Sequence, residues 1–136
     1  MKLNAYVMFQ GQCAEAFDFY AKCLGGKIAM KMTYGESPAS KQSAPDWQNK
    51  IIHERLMIGD QVLMGSDAPA DRFEKPQGFS VSIGVDTPAE AERIYKGLSD
   101  KAEICMELQE TFWAQRFAML VDKFGTPWMI NCEKQM

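Results

Sequence analysis

Apolar residues at Cys13, Phe17, Tyr20 and Leu24 follow the i, i+4, i+7, i+11 spacing of one helical face, which predicts a helix over residues 12–24. Gly25-Gly26 ends it, because glycine takes the left-handed cap conformation at little cost. A second helical pattern, Ala91, Ile94, Tyr95 and Leu98, starts from the stronger boundary signal. Thr87-Pro88-Ala89-Glu90 is a capping box with proline at the first helical position. Elsewhere the pattern is that of strands: about Leu3 to Phe9, and Lys27 to Tyr34 with Ile28, Met30 and Met32 on one side. Lys50 to Ile58 and Gln61 to Ser66 read as a hairpin across the two-residue turn Gly59-Asp60. Phe79 to Val85, Glu103 to Gln109, Gln115 to Val121 and Trp128 to Cys132 complete the set, with Phe124-Gly125 turning the last pair.

These elements occur twice in one order, strand-helix-strand-strand-strand, and the sequence itself repeats. Ala14 to Tyr20 returns as Ala89 to Tyr95, keeping Ala-Glu-Ala and the Tyr, and Ile58-Gly59 to Met64 aligns with Phe124-Gly125 to Ile130. The second match is spaced about nine residues closer than the first. The extra residues of the first half fall in the polar stretch 35–49, which holds Pro38, Pro45 and three Ser. The reading is one α+β domain over residues 1–136, built of two βαβββ modules (1–67 and 78–136) and a linker (68–77). One module leaves a sheet face uncovered, and a second copy beside it makes a cupped mixed sheet with a central cleft.

Composition narrows the function classes. Hydrophobic content of 46% and charged content of 24% are those of a globular chain. A net charge of -3, a pI of 5.2 and the lack of a Lys/Arg run argue against nucleic acid as a partner. No apolar run approaches the ~18 residues of a membrane span, and the start of the chain reads as a strand rather than a leader, so a cytoplasmic location is expected. Cys13, Cys23, Cys105 and Cys132 have neither C-x-x-C nor zinc spacing and read as reduced, partly buried thiols. The ten Met read as adaptable filler.

Specific phrases carry a family resemblance. Phe19-Tyr20 with Leu24-Gly25-Gly26, Ile58-Gly59-Asp60 with Met64-Gly65-Ser66-Asp67, Glu110-Thr111-Phe112-Trp113, and above all Asp122 to Asn131 resemble the PhnB-like branch of the vicinal-oxygen-chelate superfamily. That superfamily holds glyoxalase I, bleomycin-resistance proteins and extradiol dioxygenases, and the resemblance implies the glyoxalase/bleomycin-resistance fold. Its enzymes typically hold a divalent metal on four His/Glu side chains, two per half. Carried over one at a time, those positions fall on Ala5, Leu63, Ser80 and Met129, and a slip of one offers Asn4 and Ser82. They make no competent ligand set for a hard cation and include no His or carboxylate, so no metal and no cofactor are expected. Similar proteins have been labelled 3-demethylubiquinone methyltransferases, but the sequence lacks the glycine-rich turn that a nucleotide-like cofactor wants.

His53, the only histidine, shares a strand face with Ile51, Arg55 and Met57, while Glu54 points the other way. Its two readings are a hydrogen-bonded strand residue and a ligand-facing acid/base group, Glu110 being a further acid/base candidate. The run Glu110 to Arg116 brings Phe112 and Trp113 together with a carboxylate and a guanidinium. Either it caps the sheet's open end, or Phe112, Trp113, Arg116 and Met129 line a small-molecule pocket. Asp67 and Asp122 read as turn-makers. The first expectation is therefore a homodimeric protein that binds a small organic molecule in its cleft, as bleomycin-resistance proteins sequester a drug. The alternatives are an enzyme of lyase, isomerase or dioxygenase type using His53 and Glu110, and a structural or regulatory dimer.

Overall fold

The computed structural model describes residues 1–135 and divides into two compact units, Met1–Glu74 and the residues from Lys75 onward. In the first unit β1 (Ala5–Phe9), α1 (Cys13–Leu24), β2 (Lys27–Thr33), β3 (Ile51–Ile58) and β4 (Gln61–Asp67) follow in sequence. The second repeats the order as β5 (Val81–Gly84), α2 (Pro88–Leu98), β6 (Glu103–Gln109), β7 (Ala114–Val121) and β8 (Pro127–Glu133). The first sheet runs β1-β4-β3-β2 and the second β5-β8-β7-β6. In each, the strand before the helix pairs parallel with the last strand of the unit, and the other pairs are antiparallel.

The helices form where the pattern places them. Cys13, Ala16, Phe17 and Tyr20 are buried on α1, and Gly25 closes it in the left-handed conformation at φ 71°. Ala91, Ile94 and Leu98 are buried on α2, whose first turn is capped by Glu90 N–H donating to the Thr87 hydroxyl at 3.2 Å. The helix-facing side of the first sheet carries Val7, Phe9, Glu54, Leu56, Leu63, Gly65 and Asp67, all buried. A Cβ on Gly65 would lie 2.7 Å from the Val7 carbonyl oxygen and 2.9 Å from Cζ of Phe17. Helix and sheet meet there with no room for a methyl group. Gly65→Ala is expected to lower the urea midpoint by the equivalent of about 2 kcal/mol, the cost of overpacking a close contact.

The two central hairpins differ in a way the repeat conceals. In the first, Ile58 pairs with Gln61 across two turn residues. In the second, Val121 pairs with Pro127 across five, Asp122 to Thr126. Here the Asp122 carboxylate accepts from Phe124 N–H (2.8 Å), Thr126 N–H (3.1 Å) and Trp128 Nε1–H (2.7 Å). Asp122 is thus a turn-maker, as its sequence setting suggests. Asp67 is not one. It ends β4, buried, with Oδ1 accepting from Gly11 N–H (2.8 Å) and Cys13 N–H (2.9 Å) and Oδ2 from Ile51 N–H (2.8 Å). Ala68 continues the first unit by donating to the Phe9 carbonyl, so the first unit reaches past the expected linker boundary to Glu74. The extra residues 35–49 are folded into two short 3-10 turns, Ser40–Gln42 and Pro45–Trp47.

Candidate functional site

Alternation on β1 sends Val7 and Phe9 toward α1 and leaves Tyr6 and Met8 on the helix-free side. Register then builds that side across the sheet. Tyr6, Met64, Arg55 and Met30 form one row, and beside them Met8 pairs with Ser66 and His53 with Met32. The Ser66 hydroxyl lies 3.5 Å from the Met8 sulfur. His53 stacks on Tyr6, with ring centroids 5.6 Å apart and planes 22° from parallel, and its Nδ1 lies 3.0 Å from the Tyr6 hydroxyl. The face is thus a soft bed of thioethers around one hydrogen-bonded imidazole–phenol pair and one guanidinium. Tyr6 and Met8 are exposed on it.

No motif in the sequence marks Tyr6, although the phase of Val7 and Phe9 is enough to place it opposite the core. Strand alternation marks Glu54 only as pointing away from His53. It is in phase with buried Leu56, has no exposed surface, and accepts from the Cys13 thiol at 3.7 Å through Oε1, while Oε2 has no partner. Burial pushes its carboxyl up to about 7, against a smaller opposing pull from Lys31. Burial, with Glu54 and Asp67 adding to it, pushes the Cys13 thiol far above its ordinary value, so it is inert as a nucleophile. Cys105, by contrast, is exposed on β6 rather than partly buried.

In the second unit the residues of the aromatic run separate. Trp113 packs edge-on against Phe117 (5.1 Å) and Phe112 (4.8 Å), and Phe112 is 88% exposed. Glu110 is an exposed carboxylate at 2.8 Å from Lys134 Nζ, whose hydrogen bond holds it below the usual carboxylate range. Arg116 is in register with Cys132 on the side that carries α2, and pairs with Glu92 of that helix at 3.3 Å. Met129 faces the other way, in register with Ser82 and Met119. Met129 and Arg116 therefore lie on opposite faces of one sheet.

The positions counted out for a metal are also divided. Ala5 is in register with Leu63, and Leu63 is buried toward α1, whereas Met129 lies on a helix-free face. A one-residue change of phase exchanges the faces of a strand, and the same count lands on opposite faces in the two units. The helix-free positions are instead Met64 and Ser66 in the first unit, and Met129 and Asn131 in the second. These side chains do not fit a divalent ion. Among the described residues no three His, Cys, Asp or Glu side chains come together. At the start of α1, where anions usually bind helix amides, the amides of Gly11 and Cys13 are already held by Asp67.

The fold is that of the glyoxalase/bleomycin-resistance class. A glyoxalase/bleomycin resistance protein/dioxygenase family enzyme from Burkholderia phytofirmans PsJN shares it with a TM-score of 0.66 at 15% identity, over 96% of this chain and 97% of that one. Within that class the chain belongs to the PhnB-like family described as 3-demethylubiquinone-9 3-methyltransferase, whose model matches residues 1–131. Protein YjdN of Escherichia coli K12 is 34% identical over 99% of this chain and 97% of its own length. The crystal structure of protein PA1353 from Pseudomonas aeruginosa superposes with a TM-score of 0.90 at 40% identity, covering 99% of both chains.

Proposed function

We propose that this protein binds a small organic molecule on the helix-free face of its first sheet, with neither metal nor cofactor. The observation that carries the reading is the Tyr6–His53 pair set among Met8, Met30, Met32 and Met64. Polarizable thioethers conform to an apolar body of irregular shape, while the imidazole, the phenol and Arg55 orient a polar end. The second unit offers a face of the same kind, with Met129, Met119, Phe117 and Trp113. The thiols of Cys13, Cys105 and Cys132 support a reducing, cytoplasmic setting, and the exposed Ile104 and Met106 of β6 support pairing with a second copy.

The single histidine makes the test direct, because its imidazole signals in NMR belong to one site. A screen of phenolic and quinone compounds should yield ligands that shift the His53 signals saturably. His53→Ala should weaken such a ligand about tenfold, and Tyr6→Phe by less. Compounds that bind tightly yet leave His53 unmoved would sink the assignment. One observation favours the enzyme reading. The Tyr6 hydroxyl fixes Nδ1, and among the described residues Nε2 has no partner, so it is placed to take or give a proton. Chemical conversion of a bound compound that is lost in His53→Asn would decide for it.

A further inference from the structure

The first unit also holds a concavity away from the Tyr6–His53 face. Residues 35–49 and the turn after β4 enclose about 430 Å³, lined by Tyr34, Ala44, Asp46, Trp47, Pro69 and Arg72 among others. Its walls are built rather than loose. Gln48 Nε2 donates to the Ser40 and Ser43 carbonyls, Gly35 N–H donates to the Gln48 carbonyl, and the Tyr34 hydroxyl donates to the Asp67 carbonyl at 2.7 Å. Arg72 is set by a turn in which its N–H donates to the Pro69 carbonyl. Two aromatic rings, Tyr34 and Trp47, stand 6.4 Å apart at 55°.

Trp47 Nε1 is buried and has no acceptor. A buried N–H left unpaired costs on the order of 1–3 kcal/mol, and the ring could have been a phenylalanine at no such cost. Arg72 is exposed and pairs with no carboxylate among the described residues. The cavity therefore has aromatic walls, one of them an indole whose buried N–H lacks an acceptor, and one unpaired cation on its lining.

We propose that this cavity is a second small-molecule site and takes an aromatic monocarboxylate. The ring packs against Tyr34 and Trp47, and the carboxylate accepts from Trp47 Nε1–H and pairs with Arg72. Asp46 on the lining disfavours a dianion. Because Nε1 is closed off in this structure, the ligand reaches it through a small rotation of the indole, and Trp47 emission reports binding.

Benzoate and 4-hydroxybenzoate, titrated to 10 mM on the order of ordinary screening concentrations, are the probes, with benzamide as the uncharged control. Both anions should give a saturable change in tryptophan emission that disappears in Trp47→Phe, which keeps Trp113 and Trp128. Arg72→Gln should weaken binding about tenfold, and His53→Ala should leave it unchanged. Far-ultraviolet circular dichroism confirms that the variants fold. No saturable response, or one that survives both Trp47→Phe and Arg72→Gln, overturns the proposal. Equal binding of benzamide overturns the carboxylate assignment. Loss of binding in His53→Ala alone moves the anion to the Tyr6–His53 face and leaves that reading standing.

Discussion

Glu54→Gln should make the protein more stable at pH 8, by about 3 kcal/mol, and should remove most of its pH dependence between pH 5 and 8. The native carboxyl is raised from 4.5 to about 7 because it is buried with one oxygen unpartnered. A raised carboxyl favours folding while it is protonated. Its contribution is complete below the unfolded value of 4.5 and is lost as pH rises through about 7. A rise from 4.5 to about 7 corresponds to about 3 kcal/mol. Gln copies the protonated shape and still accepts from the Cys13 thiol, so the variant should behave at pH 8 as the natural chain does at pH 5. Urea midpoints at the two pH values measure this. A natural chain equally stable at both, matched by an unchanged Gln variant, would show that Glu54 reaches solvent or a partner.

Asp67→Ala should cost at least about 3 kcal/mol and leave little folded protein. The carboxylate is 1% exposed and is the acceptor for three backbone amides, Gly11, Cys13 and Ile51. Each buried donor left without an acceptor costs about 1–3 kcal/mol, a large share of a stability that is ordinarily 5–15 kcal/mol. Asp67→Asn keeps one acceptor oxygen and should lose less. Asp18→Ala, on the exposed side of α1, should stay within about 0.5 kcal/mol. Similar losses for Asp67→Ala and Asp18→Ala in urea titrations would contradict the role given to Asp67.

The elements were legible because their signals are local. Thr87-Pro88 places the start of α2, Gly25 the end of α1 and Gly59-Asp60 the first hairpin, and all three stand where the sequence puts them. The candidate site was legible in part. Strand phase separated His53 from Glu54, but it could not show that Tyr6, 47 residues away, would supply the partner. Asp67 reads as a turn residue because Asp often is one, whereas its three donors come from distant segments. Arg116 beside Trp113 suggested a shared pocket, and only the position of Glu92 on α2 shows which face holds the guanidinium. Trp47 lay in a stretch with no periodicity to interpret.

The repeat in sequence and the repeat in space are out of phase. The partners of Met64 and Ser66 in the repeat alignment are Ile130 and Cys132, and both are interior residues of the second unit. Conversely, Met129 and Asn131 correspond to Leu63 and Gly65, which are interior in the first. Aligned positions thus lie on opposite faces in the two units, on β1 and β5 (Phe9 and Gly84) as well as on β4 and β8. A chimera that replaces β4 by β8 position for position in the repeat alignment would put Met129 and Asn131 in the core places of Leu63 and Gly65. Shifting the graft by one residue should restore the correct side.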